Sequence, residues 1–296
     1  MRKFEFWTVA YRPRQNQATL LDDLQTPFSV VKNTWRYWAA NPHLVEHNGT
    51  TYLFAELYDR VLRRGVIGYC ELSGNGATAW QVALRMPYHL SYPHILRIGD
   101  AFYMIPESYV ANEISVFRAV HFPDRWEKAT VLRENFCAVD STVFFDHEQA
   151  YLMTLQFQGD AERLLLFPVK DRTLCGQGLV IAENDCNVRP AGHFFQWNGK
   201  RIRPGQDCSN SYGCALNLYE VTDISSEGYS ETLYKKVHPS DIRSNLKKEP
   251  EGIHTYNMSA SYEVLDLKGY ETDWLFYIMR PIWWLWRRIK RLFMKQ

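Results

Sequence analysis

Apolar and polar residues alternate along most of this chain in short runs such as VIGYCEL, EISVFRAV, RLLLFPV and ALNLYEV. Each run ends in a cluster of Gly, Asn, Asp or Pro. A period of two broken by turn residues predicts β-strands rather than helices. One composite pattern recurs: a small or polar residue, a proline, an alternating run, a turn, an aromatic and a polar residue. ANPHLVEHNGTTYLFAE (40–56) and SYPHILRIGDAFYMIPE (91–107) carry it, with Tyr52 and Tyr103 ten residues after Pro42 and Pro93, and Glu56 and Glu107 fourteen after. VDSTVFFDHEQAYLMTLQ (139–156), AGHFFQWNGKRIRPGQD (191–207) and GIHTYNMSASYEVLD (252–266) repeat the offsets, with Ser141, Gly192 and Gly252 in the proline place. The anchors 42, 93, 141, 192 and 252 are 51, 48, 51 and 60 residues apart.

Each unit reads as strand, tight turn, strand, with HNGTT, IGD, DHEQ, WNGK and MSAS as turn chemistry. Four strands in each unit of ~50 residues, repeated radially, predict an all-β, five-bladed β-propeller. A two-layer β-sandwich with accidental spacing is the competing architecture. The first strand, FEFWTVAYRP, precedes the first unit and is expected to close the ring against the last blade. A short helix is expected in HPSDIRSNLKK, capped by Ser240. The propeller is assigned to residues 1–273 and a basic, aromatic tail with a C-terminal amphipathic helix to 274–296.

Composition changes this picture in one respect. The chain has 296 residues, 46% hydrophobic and 23% charged, which excludes disorder for its bulk. Aromatics reach 15%, which suits sheet cores, sugar-binding surfaces and membrane interfaces. A net charge of +1 argues against a nucleic-acid partner. Yet six of the 34 basic residues and none of the 33 acidic ones fall in 274–296, so the other 28 basic residues leave 1–273 at −5. After Pro281, apolar residues at 282, 285, 286, 289, 292 and 293 form a helical stripe. Trp283, Trp284 and Trp286 beside Arg287, Arg288 and Arg291 suit a helix lying on an anionic membrane surface. Docking onto the propeller or onto a partner protein is the alternative. Arg280 and Pro281 interrupt the apolar run, so a full span is not expected. MRKFEFWTVAYRPRQ has no apolar run of secretory type, and none of the six cysteines forms a CxxC pair. Reduced thiols and a cytoplasmic location, peripheral at the inner face of the membrane, are expected.

Repeat-equivalent positions converge on a propeller axis. The residue before each anchor is Asn41, Tyr92, Asp140, Ala191 or Glu251, and two residues later stand His43, His94, Thr142, His193 and Ile253. Strand alternation places both positions on one face. Three histidines and Asp140 would then meet, either as a sugar site or as ligands for a divalent metal, or the histidines would tie blades together by hydrogen bonds. A second ring, fourteen residues after the anchors, holds Glu56, Glu107, Leu155, Gln206 and Asp266. Carboxylates there need partners or water. They would grip sugar hydroxyls, with Asp140, Glu107 or Asp207 accepting a proton, or pair with Arg60, Arg189 or Arg203. Trp35, Tyr37, Trp38 and Tyr212 stand ready to stack on sugar rings or to pack the core. No P-loop, Rossmann glycine pattern, GxSxG or HExxH is present.

NPHLVEHNGTTYLFAE, YPHILRIGDAFYMIPES, VDSTVF, RPAGHFFQWNGKRIRPGQDCSNSYG and GIHTYN together resemble the N-terminal domain of glucosamine inositolphosphorylceramide transferase-type proteins, over about residues 35–270. Bacterial relatives of that domain are associated with surface polysaccharide genes, and the domain looks like the five-bladed propellers of glycoside hydrolase family 43. The resemblance implies three carboxylates for hydrolysis. Here the first place holds the amide Asn41, the second keeps Asp140, and the third falls near Arg189-Pro190, where no acid stands. An ordinary inverting hydrolase needs a carboxylate base and a carboxylic acid. The expectation is therefore a carbohydrate-active enzyme of surface polysaccharide or glycolipid biosynthesis, transferring sugar from a sugar or nucleotide-sugar substrate. Its catalytic residues would be Asp140, Glu107 and Asp207. Asn41, His43, Glu56, His94, Arg189, His193, Arg203, Gln206, Tyr212 and His254 would bind the substrate. A hydrolase using Glu107 with Asp140 or Asp207, and a non-catalytic glycan-binding scaffold, are the alternatives.

Overall fold

The computed structural model describes residues 3–14, 18–225 and 228–272, with Pro281 beyond them. The tail assigned to 274–296 and its expected amphipathic helix otherwise lie outside the described residues. Among those residues no helix is long and apolar enough to cross a membrane.

Five antiparallel sheets form the blades of a five-bladed β-propeller. The first blade runs outward from Tyr37–His47 through Thr50–Asp59 to Arg64–Ser73, and the second runs from Ser91–Ile98 through Ala101–Glu107 and Glu113–His121 to Arg125–Glu134. The third contains Ala138–Asp146, Gln149–Gln158 and Ala161–Lys170. The fourth begins with the short strands Arg189–Pro190 and Phe195–Trp197 and continues through Lys200–Asp207 and Ala215–Ile224 to Tyr229–Val237. The fifth is built from both ends of the propeller: Tyr256–Met258, Tyr262–Thr272, then the N-terminal strand Lys3–Pro13. Lys3 pairs Thr272 and Pro13 pairs Tyr262 in an unbroken antiparallel register. The expected ring closure is thus the one the chain makes.

Period-two alternation builds the core. Successive residues of a strand point into the two seams flanking their blade, so both faces must be apolar. Phe54 packs with Ile95, Met104 and Phe117 in one seam, while Leu53, Ala55 and Leu57 pack with Val9 and Val264 in the other. Leu152, Leu165 and Phe167 join the second blade, and Met153, Leu164 and Leu166 join the fourth. Asn48-Gly49 and Asn198-Gly199 both take positive φ, at 49° and 78° and at 48° and 76°, as the expected two-residue hairpin turns require. These hairpins lie on one face of the ring. The links at 59–64, 107–113 and 207–215, and the Lys3/Thr272 end of the fifth blade, lie on the opposite face.

The helix expected at HPSDIRSNLKK is a single 3-10 turn, Pro239–Asp241. Ser240 does not cap it. The Asp241 carboxylate instead accepts a hydrogen bond from the His238 backbone N–H at 2.8 Å.

A buried ion pair fastens the closing strand. Arg12 Nε donates to Glu263 Oε2 at 2.7 Å, and its remaining nitrogens donate to the carbonyls of Thr26 and Asp23. Glu263 also accepts from the Leu20 N–H and the Tyr256 hydroxyl. Removing one member of a buried pair strands the other charge. Arg12→Met should lower the unfolding free energy by about 3 kcal/mol, measured by urea denaturation. Arg12→Met with Glu263→Leu should recover most of that loss.

Candidate functional site

The inner strands of the first three blades share a local distortion. Strand register slips between Ala40 and His43, between Ser91 and His94, and between Val139 and Thr142. At each slip one residue is left-handed: Asn41 at φ 51°, Tyr92 at 41° and Asp140 at 53°. These are β-bulges, which re-aim side chains. Asn and Asp tolerate this conformation, whereas a tyrosine there is uncommon. The bulge breaks the alternation on which the expected meeting of three histidines and Asp140 relied. Positions 41 and 140 look into a cavity on the link face, and positions 43 and 94 look elsewhere.

That cavity is about 220 Å³. Asn41, Glu56, Glu107, Asp140, Arg189, Tyr212 and His254 line it, as do Glu5, Trp7, Trp38, Tyr58, His89 and Ser91, which were not expected apart from Trp38. At its floor Arg189 Nε donates to Asp140 Oδ2 at 2.5 Å, and Arg189 Nη2 lies 3.6 Å from Glu107 Oε2. Burial opposes the Arg189 charge, but Asp140, Tyr212 and Glu107 more than offset it and hold the guanidinium charged. Gln206 Nε2 donates to the same Asp140 oxygen at 3.0 Å. Burial and the Asp140 charge push the Glu107 carboxyl up to about 8, against the pull of Arg189. Glu56 is pushed up in the same direction, first by burial and then by Glu107, Asp266 and Asp140. Its neighbour His89, 3.3 Å away, accepts the Gly65 N–H on Nδ1 and is held neutral by burial. The cavity therefore keeps two carboxyls protonated beside one ion pair.

Aromatic rings form the walls. Trp7 stacks on His254 at 3.8 Å between ring centroids, Trp38 stacks on Tyr58 at 4.7 Å, and Tyr212 meets both Trp7 and His254 edge-on. Arg189 lies over the Tyr212 ring. Gly213, at φ +62°, makes this approach feasible: a Cβ there would come within 2.9 Å of Trp7 and 2.8 Å of His254. Asp266 anchors the wall. It accepts the backbone N–H groups of Asn41, His254 and Thr255, and contacts His254 Nδ1 at 2.7 Å. Ring faces set against convergent carboxyl and amide groups are what a sugar, apolar on its C–H faces and polar at its rim, requires.

The remaining expected residues stand apart from the cavity. Gln206 faces Asp140, so on the same strand Arg203 and Asp207, at odd separations from it, face the other way. Arg203 is buried against Glu231, with Nη2 to Oε1 at 2.5 Å. Asp207 pairs with Lys236 at 2.7 Å and accepts from Ser209. Despite burial, these bonds hold its carboxyl down at about 2. A carboxyl so held is a turn anchor rather than a proton carrier for the cavity. Trp35 does not line the cavity.

His43, His94 and His193 form a separate axial cluster, with ring nitrogens within 4.8 Å of one another. His43 Nε2 accepts the Ile95 N–H at 3.1 Å, and His94 Nε2 accepts the Val143 N–H at 3.0 Å. His43 and His94 thus hold the inner strand of the next blade. Burial is the main reason all three pKa values are lowered, so the rings are neutral. A nitrogen that accepts an amide hydrogen has no lone pair left for a cation, and it leaves the ring proton on Nδ1. Two of the three rings are committed in this way, and Asp140 is not part of the cluster. Blade fastening is the role the geometry supports.

Asp207 lies outside the cavity and pairs with Lys236, so of the two rearranged hydrolase pairs Glu107 with Asp207 is not assembled there.

A family model described as glucosamine inositolphosphorylceramide transferase 1, N-terminal, matches residues 28–274. Glucosamine inositolphosphorylceramide transferase 1 of Oryza sativa subsp. japonica is 29% identical over 206 residues, covering 66% of this chain and 27% of the relative. The Arabidopsis thaliana protein of the same description is 28% identical over 235 residues, covering 74% and 29%. The chain thus spans less than a third of the length of these curated relatives. An α-L-arabinofuranosidase from Clostridium thermocellum superposes with a TM-score of 0.54 at 14% identity, covering 78% of this chain and 82% of that one. The catalytic domain of the Coprinopsis cinerea GH62 α-L-arabinofuranosidase gives 0.58 at 11%, covering 74% and 76%. These likenesses establish the shared propeller fold.

The Glu107 proton has a consequence for stability. Its folded value of about 8 lies above the ordinary 4.5, so the native state binds the extra proton between those values. Its contribution is full below pH 4.5 and is lost as the pH rises through 8. Glu107→Gln, which keeps the shape without the charge, should raise the melting temperature relative to the parent at pH 9 and leave it nearly unchanged at pH 5, by calorimetry.

Proposed function

This chain belongs to the family of the glucosamine inositolphosphorylceramide transferase 1 N-terminal domain, and from that premise we propose that its cavity binds a sugar and serves glycosyl transfer in glycolipid or surface-glycan assembly. The observation that carries this reading is the Glu107–Asp140–Arg189 group on the floor of an aromatic-walled cavity. A carboxyl poised at about 8 is suited to move a proton near neutral pH. In transfer, the acceptor hydroxyl oxygen bonds to the anomeric carbon as the bond to the leaving group breaks, and Glu107, ionised once ligand binding has released its proton, takes the hydroxyl proton. Asp140, fixed by Arg189 and Gln206, positions Glu107 and grips sugar hydroxyls.

The charge of the cavity supports a narrower reading. Glu5, Glu56, Glu107 and Asp140 face one arginine, and the relatives carry glucosamine in their name. We propose an amino sugar as the preferred ligand. Its ammonium stabilises the ionised carboxylates and draws their pKa values down, so binding releases protons.

Recognition without chemistry is a second reading. It is favoured by the span of the chain, 27–29% of its curated relatives, which leaves room for transfer elsewhere in those proteins. We further propose that the tail, through Trp283, Trp284, Trp286, Arg287, Arg288 and Arg291, holds the chain on the anionic, cytoplasmic face of a membrane.

Isothermal titration with glucosamine, glucose and nucleotide sugars tests the site. Glucosamine should bind about tenfold more tightly than glucose with release of protons, and Asp140→Asn should weaken it by about tenfold. Equal affinities for the two sugars, or unchanged binding in Asp140→Asn, would remove the amino-sugar reading. Product from a nucleotide-sugar donor and a lipid-linked acceptor, lost in Glu107→Gln, separates transfer from recognition alone.

A further inference from the structure

The link face carries a second feature besides the cavity mouth. Trp35 is 71% exposed, Val110 65%, Leu62 45%, Tyr109 45% and Tyr212 40%. All five stand on loops of this face: before the first blade's inner strand, in the 59–64 link, in the 3-10 turn Tyr109–Ala111 within the 107–113 link, and in the 207–215 link. Exposed apolar residues are ordinary when scattered. Five on the loops of one face, one of them also lining the cavity, are a surface feature in need of a partner.

The chain itself indicates the partner. The last described strand ends at Thr272, paired with Lys3, on this same face. Glu5 and Trp7 from the paired strand line the cavity. Residues 274–296, which follow, are rich in tryptophan and carry six basic residues and no acidic one. Basic and aromatic residues in that combination complement an anionic lipid surface. A tail rooted on the cavity face brings that face, not the hairpin face, toward whatever the tail binds.

We infer that the link face lies on an anionic bilayer, with Trp35, Leu62, Tyr109 and Val110 in its interfacial layer and the cavity opening toward the lipid. The cavity then receives a lipid-anchored sugar headgroup from the membrane surface, without the headgroup having to leave it. This inference rests on the membrane attachment of the tail proposed above and adds the orientation of the propeller.

Co-sedimentation of the full chain with phosphatidylcholine vesicles containing about 30% phosphatidylserine tests it. Leu62→Asp with Val110→Asp should weaken binding by about tenfold. Ile98→Asp with Phe145→Asp adds the same charge at exposed apolar positions of the hairpin face and should leave binding within about twofold. All four positions are exposed, and melting temperatures confirm that the variants fold. If the full chain binds but the Leu62/Val110 variant binds equally well, or the Ile98/Phe145 variant loses as much, the orientation is wrong while the tail attachment stands. A full chain that does not bind these vesicles overturns both. Loss of binding on truncation after Asp273 assigns the anchoring to the tail.

Discussion

The inner strand of every blade is an edge strand, and its free amides must find acceptors at the axis. A propeller cannot hide this edge behind another strand of the same sheet. The chain meets the requirement with side chains lent across the seams. His43 takes the Ile95 amide, His94 takes the Val143 amide, and Asp266 takes the Asn41 amide. Asn257 serves two neighbours: its oxygen accepts the His193 N–H and its amide nitrogen donates to the Pro42 carbonyl. The third and fourth blades are joined by Gln206 and Arg189, both on Asp140. Most polar residues of the ring interior are accounted for by this need. What it leaves over is the group of carboxyls lining the cavity.

That surplus is what gives the cavity its character. Glu56, Glu107 and Asp140 share a small volume with one arginine. Low local dielectric makes like charges there costly, so the cavity answers by keeping protons on Glu56 and Glu107. A site prepared in this way responds strongly to an arriving cation and weakly to a neutral molecule of the same shape. The aromatic walls are indifferent to that distinction and supply surface for the ring of either ligand.

The propeller was legible because its signals repeat: five sets of matched offsets, two Asn-Gly hairpins and an unpaired first strand all pointed to one architecture. The second ring, at fourteen residues, was equally readable, and four of its five members, Glu56, Glu107, Gln206 and Asp266, act in or beside the cavity. The first ring brought its three histidines together as expected but misplaced Asp140, because in the first three blades one left-handed residue in the inner strand reverses the alternation. Asn41 and Asp140 tolerate that backbone, and their types were a usable hint. Tyr92 gave none. Asp207 misled by standing next to a ring position, where strand geometry turns it away. Trp7 and Glu5 were missed because ring closure, not sequence proximity, brings them to the site.

That closure sets when the site can exist. Trp7 belongs to the N-terminal strand of the propeller, and His254, its stacking partner, to the last blade. Four blades can zip up from local hairpins during synthesis, yet the cavity wall stays incomplete until residues near the two ends of the propeller pair in the fifth. A ligand that needs the complete wall would therefore report on the finished ring alone, and a partially synthesised or frayed chain has no such wall to offer.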